Sequence, residues 1–173
     1  SPRRRRQWLN GRVAAKDAVR QYLWSRHGHF DLYPKELHIS NNEAGQPRVA
    51  THVTAAFAEP LQLSIAHKDL LALAMVAERS VGVDIEKIEA RSDEFLQLVM
   101  SDEEISRLPQ GDHDVWVTRL WVAKESVAKC SGHGLEGKPR QFVLQEIAGE
   151  RLRINEQWVV THRKGDYILG WTV

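Results

Sequence analysis

The chain has 173 residues, 42% of them hydrophobic and 27% charged, with a net charge of +1. That balance excludes a disordered or low-complexity chain and fits one globular unit, of one or two lobes, large enough to bury a core. No apolar run approaches the roughly eighteen residues of a membrane span, and the opening SPRRRRQWLNG lacks the apolar stretch of a signal peptide. A cytoplasmic location is the expectation, in keeping with a lone cysteine, Cys130, that has no internal disulfide partner.

In chain order, Val13, Val19, Tyr22 and Leu23 recur at helical spacing and predict an amphipathic helix over about residues 5–25, stopping near Gly28. Its polar residues are mostly basic. Arg3, Arg4, Arg5, Arg6, Arg12, Lys16, Arg20 and Arg26 face a single acid, Asp17, in the first thirty positions, which points to an anionic partner. The sequence starts without Met and enters this helix at once, so a segment cut from something longer is expected. ELHISNNEAGQPRV predicts a hairpin with its turn between Asn41 and Pro47. LQLSIAHKDLLALAMVA predicts two apolar strands broken at His67, Lys68 and Asp69, and RSVGVDIEKI a further strand. Helical stretches follow at about 92–108 and 113–131. The remainder predicts four short strands with turns at Gly149, Asn155 and Gly165.

The two halves echo one another. AAKDAV (14–19) matches VAKESV (122–127), ELHISNNEAGQPRV resembles QFVLQEIAGERLRI, and IAHKDLLALAM resembles VTHRKGDYILGW, in the same order. Two lobes of like topology are expected, split at about residues 80 and 81, with a ligand crevice where they meet.

Two stretches carry chemistry. In VGVDIEKI, Asp84 and Glu86 lie two apart on a strand and leave the same face, an arrangement of like charges suited to a hard cation such as Mg²⁺. In VWVTRLWVAKESVAKC, Lys124 falls inside the apolar arc of Val117, Leu120, Trp121, Val127 and Ala128, where a lysine is costly unless it meets an anion or reaches water. Glu125 and Lys129, four apart, share the border of that arc. Three acids for a divalent ion and two lysines for phosphate charge suit displacement at phosphorus.

These same stretches resemble a known family, the Sfp-type 4′-phosphopantetheinyl transferases. VGVDIEKI resembles the family's G-[IV]-D-[IV]-E element, and WVAKESVAKCSGHGL its W-x-x-K-E-S/A-x-x-K followed by G-x-G-L. SIAH stands where the family has Ser-x-Ser-His, and AGQPRV where it has Gly-Lys-Pro. The resemblance implies an α+β fold of two similar lobes in a pseudo-twofold arrangement, with the active site at the lobe interface. It implies transfer of the phosphopantetheine arm of coenzyme A to a serine of an acyl carrier protein, with release of adenosine 3′,5′-bisphosphate. By position, Asp84, Glu86 and Glu125 would hold Mg²⁺, Glu125 would take the serine proton, and Lys129 would steady the pyrophosphate with Lys124 beside it. His67 and the Gln46 position would contact coenzyme A. No nucleic-acid or membrane partner is expected.

Two residues depart from the family pattern. Ala66 replaces a serine and Gln46 a lysine, which predicts a weaker grip on the adenosine end unless Lys68, Arg48 or the N-terminal arginines compensate. The opening RRRRQWLNGRVAAKDAVRQYL resembles that of transferase domains fused to large polyketide or polyunsaturated fatty acid synthases. The alternatives are a degenerate module that binds carrier without modifying it, and a metal-dependent nuclease. The nuclease pattern has one residue between acid and lysine, whereas Glu86 and Lys87 are adjacent and leave opposite strand faces.

Overall fold

The computed structural model describes residues 1–50 and 61–173. The first helix, α1 (Pro2–His27), is capped by the Ser1 side chain, which accepts from the Arg4 N–H, with Pro2 at its first position. It ends at Gly28, whose φ of 77° a residue with a side chain rarely adopts. Its buried face is Gly11, Ala15, Val19 and Leu23, each four residues from the last. Val13, expected on the apolar face, is exposed, because the face that packs is made chiefly of small residues. At Gly11 the helix comes so close to the sheet that a Cβ would stand 3.3 Å from Ile65 Cγ2.

Under α1 lies an antiparallel meander of β1 (His38–Asn41), β2 (Pro47–Ala50), β3 (Gln62–Lys68) and β4 (Leu71–Ala77), in that spatial order. The core on this side gathers Ala15, Val19 and Leu23 with Leu37, Leu61, Leu63 and Val76. The β3–β4 turn places Asp69 at φ 52°.

The second sheet has the order β5-β9-β8-β7-β6, with β5 at Val83–Lys87, β6 at Leu144–Ala148, β7 at Arg151–Ile154, β8 at Gln157–Lys164 and β9 at Tyr167–Thr172. Turns fall at Gly149, Asn155 and Gly165, all with positive φ. The stretch expected to be helical over 92–108 is two short helices, α2 (Asp93–Val99) and α3 (Asp102–Ser106). The break has a local cause: Ser92 caps the first and Ser101 the second, each accepting from a backbone N–H three residues on. The long α4 (His113–Ser131) is capped by Asp112 and stops at Gly132, which is left-handed with φ 88°.

The fold is thus α+β, with two antiparallel sheets and four α-helices among the described residues. The sequence echoes land on matching elements: α1 with α4, the β1–β2 hairpin with β6–β7, and β3–β4 with β8–β9. β5 is the addition to the second sheet, antiparallel to β9, and it carries the paired acids.

Candidate active site

Helix α4 lies on the face of β5 and β9 that carries Gly82, Asp84 and Glu86. Two glycines admit it. A Cβ on Gly82 would stand 1.8 Å from the Ser126 carbonyl oxygen, and one on Gly170, which is paired with Asp84, would stand 2.4 Å from Val122 Cγ1. The motif G-V-D-I-E is therefore one strand face: a glycine that lets the helix in, then two acids that meet what the helix presents. Val83 and Ile85 leave the other face and pack with Ala66 of β3.

The helix presents Glu125 and Lys129. Lys129 Nζ is 2.6 Å from Asp84 Oδ1. Asp84 is only 5% exposed, and burial pushes its carboxyl above the usual range while Lys129 pulls it down. Its other oxygen, Oδ2, is buried and has no hydrogen-bond partner among the described residues. Glu125 is half-buried and pushed up to about 7, first by desolvation, then by the charge of Asp84, with Glu86 adding to it. The three acids are thus electrostatically one group. Glu86 is held from the other side, with Lys68 Nζ at 2.5 Å and Arg91 Nη2 at 3.1 Å on the same carboxylate oxygen.

Beside this group is a cavity of about 550 Å³ lined from both halves. Gln46 and Arg48 of β2 with its turn, and Ser64 of β3, form one wall; Lys129 and the Gly132–Gly134 turn after α4 form the other. The walls are tied together. Gln46 Nε2 donates to the Gly132 carbonyl at 2.8 Å, and Ser64 Oγ accepts from the Val83 N–H at 3.0 Å.

Two expected ligand residues are elsewhere. Lys124, expected beside Lys129, is fully buried, and its ammonium donates to Glu104 Oε2 at 2.7 Å and to the Val99 carbonyl at 2.9 Å. It does meet an anion, but the anion belongs to the protein. His67 is exposed on β3, on the strand face opposite Ala66 and Lys68, and is not among the residues that line the cavity.

A protein-family model described as "4'-phosphopantetheinyl transferase superfamily" matches residues 80–172, more than half of the chain and inclusive of Asp84, Glu86, Glu125 and Lys129. The chain belongs to the 4′-phosphopantetheinyl transferase superfamily. No curated protein matches it. Members of this superfamily act on carrier proteins with coenzyme A as substrate, and the matched segment holds the acids and Lys129, while β2 and β3 supply the facing wall of the cavity.

Among the described residues no three His, Cys, Asp or Glu side chains stand in a metal-ligating cluster. The donor set of the transferase nevertheless fits a hard divalent cation. Among the described residues Asp84 leaves an oxygen orphaned, Glu125 is held toward its neutral form first by burial and then by the charge of Asp84, and every donor is a carboxylate oxygen.

Glu104 is the residue the sequence reading passed over. Its two oxygens accept from the Ser101 N–H, the Leu144 N–H and Lys124, so one carboxylate joins α3, α4 and β6. The signal was present as a capping box, Ser101-x-x-Glu104. Arg91, which grips Glu86, left no comparable pattern.

Proposed function

We propose that this chain transfers the phosphopantetheine arm of coenzyme A to a serine hydroxyl of an acyl carrier protein, acting as a Mg²⁺-dependent holo-acyl-carrier-protein synthase. The observation that carries the proposal is the joining of Asp84, Glu86, Glu125 and Lys129 into one charged group whose lysine lines a cavity large enough for a nucleotide.

In this reading Asp84, Glu86 and Glu125 would hold Mg²⁺, which when bound offsets charge on the pyrophosphate oxygens. The serine oxygen attacks the phosphorus that bears the pantetheine arm. The bond from that phosphorus to the bridging oxygen breaks, and adenosine 3′,5′-bisphosphate leaves with the electron pair. Glu125, presented by α4 beside Asp84, accepts the serine proton. Lys129 lines the cavity next to Asp84 and places a positive charge near the phosphoryl oxygens. Lys124 has no phosphate to hold here; its part is to fix α4 through Glu104.

The basic exposed face of α1 supports an acidic protein partner, and we assign that partner to carrier domains of a polyketide or fatty acid synthase to which this chain belongs as a domain, in the cytoplasm. The test is intact-mass measurement of an apo acyl carrier protein incubated with the chain, coenzyme A and Mg²⁺. Gain of one phosphopantetheine, abolished by EDTA, is the expected result. An unchanged mass, with a carrier that another transferase modifies, would overturn the assignment.

A further inference from the structure

Of the three acids, Glu86 is the one gripped by two cations among the described residues. Lys68 Nζ lies 2.5 Å from its Oε2 and Arg91 Nη2 3.1 Å from the same oxygen, and all three side chains are partly buried. Arg91 also reaches the more exposed Glu89, at 3.1 Å through Nη1. Asp84 has its own cation in Lys129. When Asp84, Glu86 and Glu125 are all ionised, three carboxylates thus face three cations, and the group is near electrical balance before any ion arrives. A site that holds a bare divalent ion tightly keeps its acids in excess, because affinity follows the charge of the ligand set.

Both cations are fixed in place. Arg91 lies over the Phe95 ring, with Cζ 5.1 Å from the centroid, and Phe95 packs edge-on to Trp121 of α4. Lys68 ends β3, beside the turn residue Asp69. The Asp69 carboxylate accepts from Arg3 Nη2 of α1 at 3.1 Å and from the Tyr167 hydroxyl of β9 at 3.0 Å. Tyr167 is in turn paired with Lys87, the neighbour of Glu86 on β5. The turn is pinned on both sides, and through Lys68 the first half of the chain delivers a charge to an acid of the second.

We propose that Lys68 and Arg91 are positioning residues that hold Glu86 and offset its charge, so that the three acids bind a free divalent cation weakly and hold it firmly only beside a phosphate ligand. The inference rests on the metal-dependent coenzyme A reading above. An ion that takes Glu86 meets the field of both cations, which lowers its affinity. A pyrophosphate brought beside the group adds negative charge and restores the attraction. By linkage, the ion raises the affinity for coenzyme A by the same factor.

Titration of the metal-free whole chain with Mn²⁺, read by the paramagnetic resonance of the free ion, tests this without turnover. Coenzyme A alone serves as the blank. The wild type should bind Mn²⁺ about tenfold or more tightly with saturating coenzyme A than without it. Lys68→Met should tighten Mn²⁺ binding in the absence of coenzyme A by about tenfold, the scale of one partly screened charge at close range. Arg91→Met should move it the same way. Lys68→Arg should restore the wild-type value, because the charge is kept, with thermal melts showing that each variant folds. Unchanged or weaker Mn²⁺ binding by Lys68→Met would overturn the inference, as would a wild type whose Mn²⁺ affinity coenzyme A leaves unaltered. A chain that binds coenzyme A in calorimetry but no Mn²⁺ would overturn the inference while leaving coenzyme A as the ligand. If coenzyme A does not bind with or without the ion, the coenzyme A reading itself falls, and the inference with it.

Discussion

Gly82 and Ser126 touch through backbone: a Cβ on Gly82 would stand 1.8 Å from the Ser126 carbonyl oxygen and 2.7 Å from the Cys130 nitrogen. Neither atom can rotate away, so the contact fixes how close α4 comes to β5 and hence where Glu125 and Lys129 meet Asp84.

Gly82→Ala should therefore push the helix off the strand. The expected loss is about 1–3 kcal/mol in urea denaturation, the usual cost of overpacking, together with loss of turnover. Gly170→Ala meets a side chain first, Val122 Cγ1 at 2.4 Å. A side chain can yield, so the smaller loss is expected there, and the reverse order would contradict this account of the packing.

Lys124 and Glu104 form a buried ion pair, 0% and 4% exposed. Removing one partner strands the other, at a cost on the order of 3–5 kcal/mol. Lys124→Met alone should reach that range in denaturant titrations. The double variant Lys124→Met, Glu104→Gln should recover part of the loss, because a neutral amide is cheaper to bury than a lone carboxylate. If the two single losses simply add, the pair is not coupled.

These contacts show what the sequence made legible. The strand with two acids, the helix with Glu125 and Lys129, and the order of hairpins follow from period and turn residues, which are local. The placement of α1's buried face did not, because Gly11 and Ala15 are too small to mark an apolar stripe. Lys124 could be read as a lysine in need of an anion, but the identity of that anion depends on how α3 folds back, a tertiary fact. The same holds for Gln46. The substitution was visible, whereas its reach to Gly132, 86 residues on, was not.

The raised pKa of Glu125 makes a prediction about stability. Its carboxyl titrates near 4.5 in the unfolded chain and at about 7 in the folded one. Between those values the folded state holds more protons, so metal-free stability should fall as pH rises through the window. In EDTA the melting temperature should drop from pH 5 to pH 8. Glu125→Gln should flatten that drop, leaving the part due to Asp84, whose carboxyl burial also raises. Identical pH slopes in wild type and variant would remove Glu125 as the cause. Added Mg²⁺ should shrink the slope more in the wild type than in the variant, by favouring the charged form of Glu125 as well as that of Asp84.

Arg4, Arg5 and Arg6 are exposed near the start of α1. If that face steers an acidic carrier, raising salt from low to moderate ionic strength should weaken carrier binding by about tenfold, since surface charges are screened beyond roughly 8–10 Å. Replacing the three with glutamine should weaken binding at low salt and remove the salt dependence. A flat salt response in the wild type would exclude this face as the docking charge.

Lys129 separates positioning from charge. Its ammonium lies 2.6 Å from a buried carboxylate and also lines the cavity. Lys129→Gln leaves Asp84 without its cation, so Asp84 should hold its proton to higher pH and compete less well for Mg²⁺. Turnover should fall by about 10²–10³-fold, the range for loss of one group that stabilises developing charge. Part of that loss should reverse at higher Mg²⁺ concentration or higher pH, where Asp84 ionises again. Lys129→Arg keeps the charge on a planar, bulkier head, so it should retain the wild-type Mg²⁺ and pH dependence at reduced turnover. A Lys129→Gln enzyme whose loss is the same at every pH and Mg²⁺ concentration would show that the lysine acts on the phosphates alone and not through Asp84.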